Sequence, residues 1–429
     1  GCKVNKMYLM KKEIEKRGIK MNEAKTSKNV IYNTIGTFFY FFCQWLTTIL
    51  VVRISGYEDA GILSIVISFT NIFYFIALFG VRNFQVTDIN HEFTDRDYLN
   101  SRHITSGIAL ILFVISLFCM RFSQVTVICC ILYMIFKVFE GYTDVIFGIW
   151  QNHDGYFEIL VSYIGKGILT IAGFCIGLYL FNLPIAIAIQ ALLYFLFIAL
   201  YDGNQIKKLV SDFEVKTSQY KKVLIPCVPL MIYGLIVPYL NFLSRYVVEL
   251  KFGTEILGYY SSITMVFTVM STLMGSIFVT VLPKIAYLYQ IGNYKELNKF
   301  ILLANLGIVG FGVVCVGLGI VLGNFVFSIM FGKQILDYMY LLTPTIIASI
   351  ILSLVSLTSS IMISFRKNHL MLMINIIGVV LCTLSISFIV DSLGLVGALY
   401  ALILSLIVIY IILFIIIELA VVKKKGEIQ

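Results

Sequence analysis

Charged residues are scarce in this sequence. Asp, Glu, Lys and Arg make up 13% of its 429 residues, whereas hydrophobic residues make up 60%. A soluble globular domain carries about 25% charged residues, because its surface faces water. The mean hydropathy of +0.95 is instead typical of a chain whose surface largely faces lipid. The composition excludes an ordinary soluble protein and predicts a polytopic membrane protein.

Motifs for metal binding, catalysis and phosphate-loop binding are also missing. The nine cysteines and four histidines do not have the spacing of metal sites. No glycine-rich phosphate loop or nucleophile elbow occurs. The acidic triplet Asp95-Arg96-Asp97 resembles the D-x-D of nucleotide-sugar enzymes, but no Rossmann-like domain lies beside it. We therefore expect no enzyme activity, no metal and no cofactor, apart from a possible coupling to a H⁺ or Na⁺ gradient.

Long apolar runs are plentiful, and about 20 apolar residues are enough for one helix to cross the hydrocarbon core. We predict an all-α protein with twelve transmembrane helices, numbered 1 to 12. They run near Asn29–Val52, Ala60–Val81, Thr105–Met120, Val125–Trp150, Tyr156–Leu180, Leu183–Tyr201, Val223–Leu250, Leu257–Leu282, Leu297–Leu322, Met339–Phe365, His369–Val390 and Leu395–Val422.

The net charge of +9 is unevenly distributed along these predicted helices. With the N-terminus in the cytoplasm, 25 of the 32 Lys and Arg residues fall in cytoplasmic segments, four fall outside and three lie in the membrane. This asymmetry is the positive-inside pattern, so we expect both termini to be cytoplasmic. The basic segments, such as Lys423-Lys424-Lys425, are interpreted as membrane-surface anchors and not as nucleic-acid sites.

A repeated glycine–serine pattern indicates an internal duplication. Gly56, Gly61 and Ser64 follow helix 1, and the same spacing recurs 197 residues later at Gly253, Gly258 and Ser261. The duplication predicts two pseudo-symmetric lobes of six helices each. Because six is an even number, both lobes have the same orientation in the membrane and are related by an axis along the membrane normal. The predicted segments are a basic cytoplasmic tail (1–28), an N-terminal lobe (29–202), a cytoplasmic linker (203–222), a C-terminal lobe (223–422) and a basic cytoplasmic tail (423–429).

Three basic residues, Lys137, Lys166 and Arg245, lie inside the apolar runs. A basic side chain at bilayer depth costs roughly 2.5–3.5 kcal/mol on insertion scales, so it usually has an anionic partner or faces a wet cavity. Two interpretations remain open. The three cations either form internal ion pairs, or they line a cavity that binds an anionic cargo.

Acidic residues near these cations are candidates for pairing or for ion coupling. Glu140 and Asp144 share one helical face with Lys137, because the spacings are three and four residues. Glu249 follows Arg245 by one turn. Lys166 has no acidic residue one turn away within helix 5, so its partner must come from another helix, water or cargo.

Three sequence stretches have the pattern of a known family. The first is the segment that follows helix 2, Gly80-Val81-Arg82-Asn83-Phe84-Gln85-Val86-Thr87-Asp88, with Tyr98, Ser101-Arg102 and Thr105. The others are Asp144 with Gly148 and Gln151, and Arg245-Tyr246-Val247-Val248-Glu249 before Gly258. These stretches resemble bacterial polysaccharide flippases, which handle O-antigen and capsule repeat units within the multidrug/oligosaccharide-lipid/polysaccharide exporter (MOP) superfamily. The similarity covers essentially the whole chain.

This resemblance implies a function. The protein would move an undecaprenyl-pyrophosphate-linked oligosaccharide from the inner to the outer leaflet of the bacterial cytoplasmic membrane by alternating access. The product would serve surface polysaccharide biosynthesis, with a polysaccharide polymerase as a possible partner. Lys137, Lys166 and Arg245 would meet the pyrophosphate, while the lipid tail stays in the bilayer.

Two further roles are expected near the cytoplasmic side. We expect Arg82, Asp88 and Arg102 to form a gate or latch, and Glu140 or Asp144 to couple transport to an ion gradient.

Three other functions would each leave a different mark on the sequence. A cation-coupled multidrug exporter would have acidic residues within helices 1 and 2, a membrane-embedded polymerase or ligase would have a larger outside loop, and a lipid-II flippase would usually have two more helices.

Overall fold

The computed structural model describes residues 23–88, 92–209 and 219–426, which are helical with no strand. Most of the predicted N-terminal tail, the centre of the predicted linker (210–218) and residues 427–429 lie outside the described residues. The long helices are α1 Glu23–Ser55, α2 Tyr57–Leu78, α3 Asp95–Cys119, α4 Gln124–Asn152, α5 Tyr156–Leu180, α6 Leu183–Phe197, α7 Tyr220–Phe252, α8 Thr254–Gln290, α9 Tyr294–Phe331, α10 Leu342–Ser364, α11 Asn368–Leu393 and α12 Gly397–Gly426.

These helices are long and apolar enough to span a membrane. Eleven helical stretches of the described chain meet this criterion, and one of them, Asn368–Leu419, contains both α11 and α12. The break between these two helices is the short 3₁₀ turn Gly394–Val396. The prediction of an all-α, polytopic protein with twelve membrane helices is confirmed.

Helix α3 begins about three turns earlier than the sequence predicted. The prediction placed its start at Thr105, because the preceding residues are polar. In the structure Thr94 and Asp97 form a capping box: the Thr94 hydroxyl accepts from the Asp97 N–H (3.3 Å), and the Asp97 carboxylate accepts from the Thr94 N–H (3.0 Å). Such a box stabilises a helix start. The acidic triplet is thus part of a helix cap.

The helices form two lobes, as predicted. In the N-terminal lobe, α1 packs on α5, α5 on α6, and α2 on α3 and α4. In the C-terminal lobe, α10 packs on α8 and α12, and α11 packs on α12. The lobes meet mainly where α2 contacts α7 and α8.

The repeated glycines lie where α2 crosses α8. A Cβ atom on Gly61 would overlap the carbonyl oxygen of Thr254, and a Cβ on Gly258 would overlap the carbonyl oxygen of Tyr57. Tyr57 and Thr254 are separated by the same 197 residues as the two glycines. The crossing is therefore reciprocal and lies on the pseudo-symmetry axis. Only glycine allows the two backbones to approach this closely.

Further contacts close the same end of the bundle, which we call the distal end because it lies opposite the chain termini. The Tyr57 ring stacks on the Tyr259 ring at 3.7 Å, and Tyr259 stacks on Tyr338 at 4.4 Å. The Arg53 guanidinium donates to the carbonyl oxygens of Ile329 and Met330 at the end of α9. A cation is favourable at a helix C-terminus, where the carbonyl groups are unpaired. The two lobes are thus sealed together at the distal end.

The glycine crossing leads to a stability prediction. Gly61→Ala and Gly258→Ala should each lower the unfolding midpoint of the purified protein in detergent, because overpacking costs about 1–3 kcal/mol. Gly310→Ala in α9 is the matched control, since an added Cβ there has no neighbour within 4 Å. The control should unfold at or slightly above the wild-type midpoint. Wild-type midpoints for both crossing variants would contradict this packing.

Candidate functional site

Lys166 lies in a fully buried ion pair. Its ammonium group contacts the carboxylate of Asp202, and both side chains are 0% exposed. Lys166 Nζ also donates to Thr143 Oγ1 (2.9 Å), and Ser162 Oγ donates to Asp202 Oδ1 (2.9 Å). Asp202 ends a π-helical turn, Ile198–Asp202, that directly follows α6. The partner that sequence spacing left open is therefore an acid 36 residues further along the chain.

Lys137 lies in a second ion pair of the same lobe. Its Nζ lies 2.6 Å from Glu140 Oε2, and the Tyr40 hydroxyl donates to Glu140 Oε1 at 2.9 Å. The Lys137 ammonium lies 4.7 Å from the centre of the Tyr74 ring. A cation over an aromatic face is attracted by the ring quadrupole. The Lys137 side chain is 11% exposed, so it remains partly accessible.

Asp144 joins two of the predicted gate residues. Its carboxylate accepts from Arg102 Nη2 (2.7 Å) and from Arg82 Nη1 (3.5 Å). Arg102 is fully buried and also donates to the carbonyl oxygen of Ala77 at the end of α2. Arg82 lies in the short helix Val81–Thr87. The cluster thus ties the end of α2, this short helix and α3 to α4.

Asp88, the third predicted gate residue, lies in a separate cluster. It accepts hydrogen bonds from the Tyr98 hydroxyl (2.9 Å) and from the backbone N–H groups of Glu92 and Phe93 (3.0 and 3.1 Å). These bonds hold Asp88 against the residues just before α3 and against the first turn of that helix. Its hydrogen bonds to Tyr98, Glu92 and Phe93 do not involve the Asp144 cluster.

Arg245 lies in different surroundings, on the wall of a cavity at the boundary between the lobes. The cavity has a volume of about 470 Å³ and is lined by residues of α2, α7, α8, α10, α11 and α12. Its α7 wall includes Tyr233, Val237, Asn241 and Arg245, which are spaced by four residues and so share one helical face. Arg245 is the one charged side chain among the described lining residues.

The Arg245 guanidinium has no acidic partner in the described part of the chain. No ion pair joins it to a carboxylate, and its Nε has no hydrogen-bond acceptor. Glu249, one turn further on, is not paired with it, and Glu249 Oε2 also lacks a partner. The two lysines are not among the lining residues. The structure therefore brings one of the three predicted cations, Arg245, to this cavity.

Sequence reasoning missed three residues of these sites. Asp202 falls at the end of an apolar run, where it reads as the start of a cytoplasmic loop. Asn71 and Asn241 line the cavity from α2 and α7. Their signal was present, because a carboxamide inside a predicted span is a polar group that has to find a partner.

We compared the chain with known protein families, sequences and structures. No protein-family model matches the chain. The chain is 26% identical over 315 residues to the capsular polysaccharide biosynthesis protein CapF of Staphylococcus aureus, covering 72% of this chain and 78% of that protein.

Solved structures share the fold over nearly the whole chain. An inward-facing multidrug resistance MATE family transporter of the MOP superfamily matches with a TM-score of 0.73 at 14% identity, covering 93% of this chain and 99% of that one. An outward-facing MATE structure matches with a TM-score of 0.60 at 14% identity, covering 92% and 95%. A MOP superfamily transporter from Pyrococcus furiosus, described by a reverse polarity of its binding pocket, matches with a TM-score of 0.61 at 14% identity, covering 92% of this chain and 95% of that one.

The chain therefore has the fold of the MOP superfamily transporters and is a multi-pass membrane protein. The relative found by sequence, CapF, is a capsular polysaccharide biosynthesis protein. The resemblance to polysaccharide flippases of this superfamily, indicated by the motifs around Arg82, Asp144 and Arg245, is thereby confirmed.

The buried Lys166–Asp202 pair leads to a second stability prediction. Lys166→Met should destabilise the protein by about 3–5 kcal/mol, because it leaves Asp202 buried without a counter-charge. The double variant Lys166→Met/Asp202→Leu should recover much of this loss. The measurement is the free energy of unfolding in detergent.

Lys251→Met is the control for this experiment. Lys251 pairs with Asp391 at the distal end, where the two side chains are 25% and 68% exposed. An exposed pair contributes about 0–1 kcal/mol, so this variant should be close to wild type. A double variant no more stable than Lys166→Met would show that the two residues do not act as a pair.

Proposed function

We propose that this protein is a flippase of the bacterial cytoplasmic membrane. It moves an undecaprenyl-pyrophosphate-linked oligosaccharide from the inner to the outer leaflet by alternating access, for surface polysaccharide biosynthesis. Both termini are cytoplasmic in this proposal, so the sealed distal end faces outward. The observation that carries the proposal is the unpaired Arg245 guanidinium in a cavity between the lobes. The relationship to CapF supports a polysaccharide cargo.

The chemistry of Arg245 suits a pyrophosphate. A guanidinium presents its N–H donors in a planar fork that binds phosphate oxygens in a bidentate manner. An arginine without a counter-charge in an apolar bundle is costly, and an anionic cargo removes that cost. With no carboxylate among the described lining residues, the cavity favours anions over cations.

Lys137 and Lys166 can contact the cargo only if they leave their acidic partners. Each lysine would have to exchange its acid, Glu140 or Asp202, for a phosphate oxygen in another state of the transport cycle. Lys137 is the better placed, because its side chain is partly exposed whereas Lys166 is fully buried. In this proposal Arg245 is the first contact for the pyrophosphate.

Gating and energy coupling complete the proposed cycle. Arg82 and Arg102 hold Asp144 at the cytoplasmic end of the N-terminal lobe, which supports the proposed latch between α2 and α4. Asp88 anchors the adjoining segment. Glu140 and Asp144 are the proposed coupling acids, since protonation or Na⁺ binding at either would release its basic partner.

A cation-coupled multidrug exporter is the second candidate function. The structural neighbours described as multidrug transporters favour it. The charge of the cavity argues for the flippase, because a cationic drug gains nothing from facing Arg245. Loss of this protein should therefore reduce surface polysaccharide without changing susceptibility to cationic drugs. The opposite result would favour the exporter.

Arg245 gives the first functional prediction. Arg245→Gln should reduce surface polysaccharide at least tenfold in cells with normal protein levels, because the phosphate loses a charged donor pair worth about 1.5–3 kcal/mol per bond. Arg245→Lys should retain part of the export. Lys251→Gln, at the distal surface, is the control and should export normally. Normal export by Arg245→Gln would refute the proposed phosphate site.

Glu140 gives the second functional prediction. Glu140→Gln keeps the hydrogen-bonding shape but cannot change charge. In vesicles containing the purified protein, this variant should move lipid-linked cargo at a rate that no longer responds to an imposed pH or Na⁺ gradient. Glu58→Gln, at an exposed acid in the first turn of α2, is the matched control and should keep the wild-type response. An unchanged gradient response of Glu140→Gln would assign coupling elsewhere.

A further inference from the structure

Two carboxamides on the cavity wall have no hydrogen-bond partner among the described residues. Asn71 lies on α2 in the N-terminal lobe, and Asn241 lies on α7 in the C-terminal lobe. Neither side chain makes a hydrogen bond with the described residues. Asn375 lines the same cavity but donates to the Met371 carbonyl oxygen at 2.8 Å. Among the asparagines that line the cavity, Asn71 and Asn241 therefore have free amide groups, whereas Asn375 does not.

The hydroxyl groups of the cavity divide in the same way. Ser68 and Ser271 donate to the carbonyl oxygens of Ile65 and Thr268 in their own helices, which is the usual state of a helical hydroxyl. The side chains of Thr268 and Ser356 form no such bond to the described residues. Free amide and hydroxyl groups therefore face the cavity from α2, α7, α8 and α10.

Aromatic rings line the cavity next to these groups. Phe75 and Tyr233 contribute rings, and the described lining contains no carboxylate. Binding sites fix orientation with a few polar groups set in an apolar wall. Uncharged donors and acceptors beside aromatic faces suit a ligand with many hydroxyls and an apolar ring face. Those are the features of an uncharged sugar.

We infer that Asn71 and Asn241 bind the first sugar of the cargo, next to the phosphate held by Arg245. This inference rests on the proposed function and adds to it a sugar subsite. Asn241 and Arg245 are one helical turn apart, so their side chains lie about 5–6 Å from each other at Cβ. A sugar joined directly to a phosphate spans a similar distance. The site selects an uncharged, hydroxyl-rich group at that position.

The two amides belong to different lobes, which links sugar binding to the transport cycle. A sugar held by Asn71 and Asn241 bridges α2 and α7, and these helices pack against each other in this state. When the lobes rearrange to open the distal end, the sugar keeps both contacts only if α2 and α7 stay together. The bound sugar thus contacts both lobes at the same time.

Binding of two probes tests the inference. The probes are farnesyl diphosphate and the same lipid with glucose on its terminal phosphate, titrated into the purified protein. The wild type should bind the glucose-bearing probe about tenfold more tightly, because the glucose adds hydrogen bonds to the two amides. Asn71→Leu and Asn241→Leu should each lose most of this preference and bind farnesyl diphosphate unchanged. Alanine at the same positions serves if a leucine variant does not fold.

Two controls separate the sugar subsite from the phosphate site. Asn204→Leu, outside the cavity, should keep the wild-type affinities for both probes. Arg245→Gln should weaken both probes equally. A wild type that binds the two probes equally, or asparagine variants that keep the preference, would overturn the sugar subsite alone. An Arg245→Gln variant with wild-type affinity for farnesyl diphosphate would overturn the proposed function instead.

Discussion

A charged side chain in an apolar helix bundle carries a high free-energy cost, and the rest of the structure depends on how this cost is offset. The basic residues inside the bundle have two different arrangements. In the N-terminal lobe, Lys137 and Lys166 each have their own carboxylate, and two arginines share Asp144. In the cavity between the lobes, Arg245 has no such partner among the described residues. In the first arrangement, each basic side chain inside the bundle has an acidic partner that offsets part of its cost. In the second, the proposed anionic cargo would supply the counter-charge for Arg245.

The position of that charge follows from the symmetry of the fold. The reciprocal crossing at Gly61 and Gly258 fixes the distal ends of the two lobes against each other. Tyrosine stacking and the Arg53 contacts with the end of α9 add to the same seal. With the lobes joined at that end, the space between them lies nearer the middle of the bundle. In the proposed transport cycle, a cargo group in this space would contact both lobes, as alternating access requires.

Much of this architecture follows from patterns of residues close in sequence. Apolar runs predicted the helices, and the glycine–serine repeat predicted the lobes, because a close helix crossing requires glycine in both copies. The start of α3 was missed because its first turns are polar and are held by the Thr94 cap. The Lys166 partner was missed because a π-helical turn brings Asp202 from 36 residues away. Contacts between helices are not encoded in the spacing within one helix, so the isolation of Arg245 from Glu249 also needed the structure.

We propose that the positive cavity binds an anionic lipid-linked sugar as it crosses the membrane. The most direct measurement is leaflet exchange in vesicles that contain only the purified protein. A fluorescent polyprenyl-diphosphate oligosaccharide, placed in one leaflet, is followed by its accessibility to a membrane-impermeant quencher, beside a cationic dye in parallel vesicles. We expect protein-dependent exchange of the diphosphate lipid and none of the dye. Transport of the dye with no movement of the lipid would contradict it.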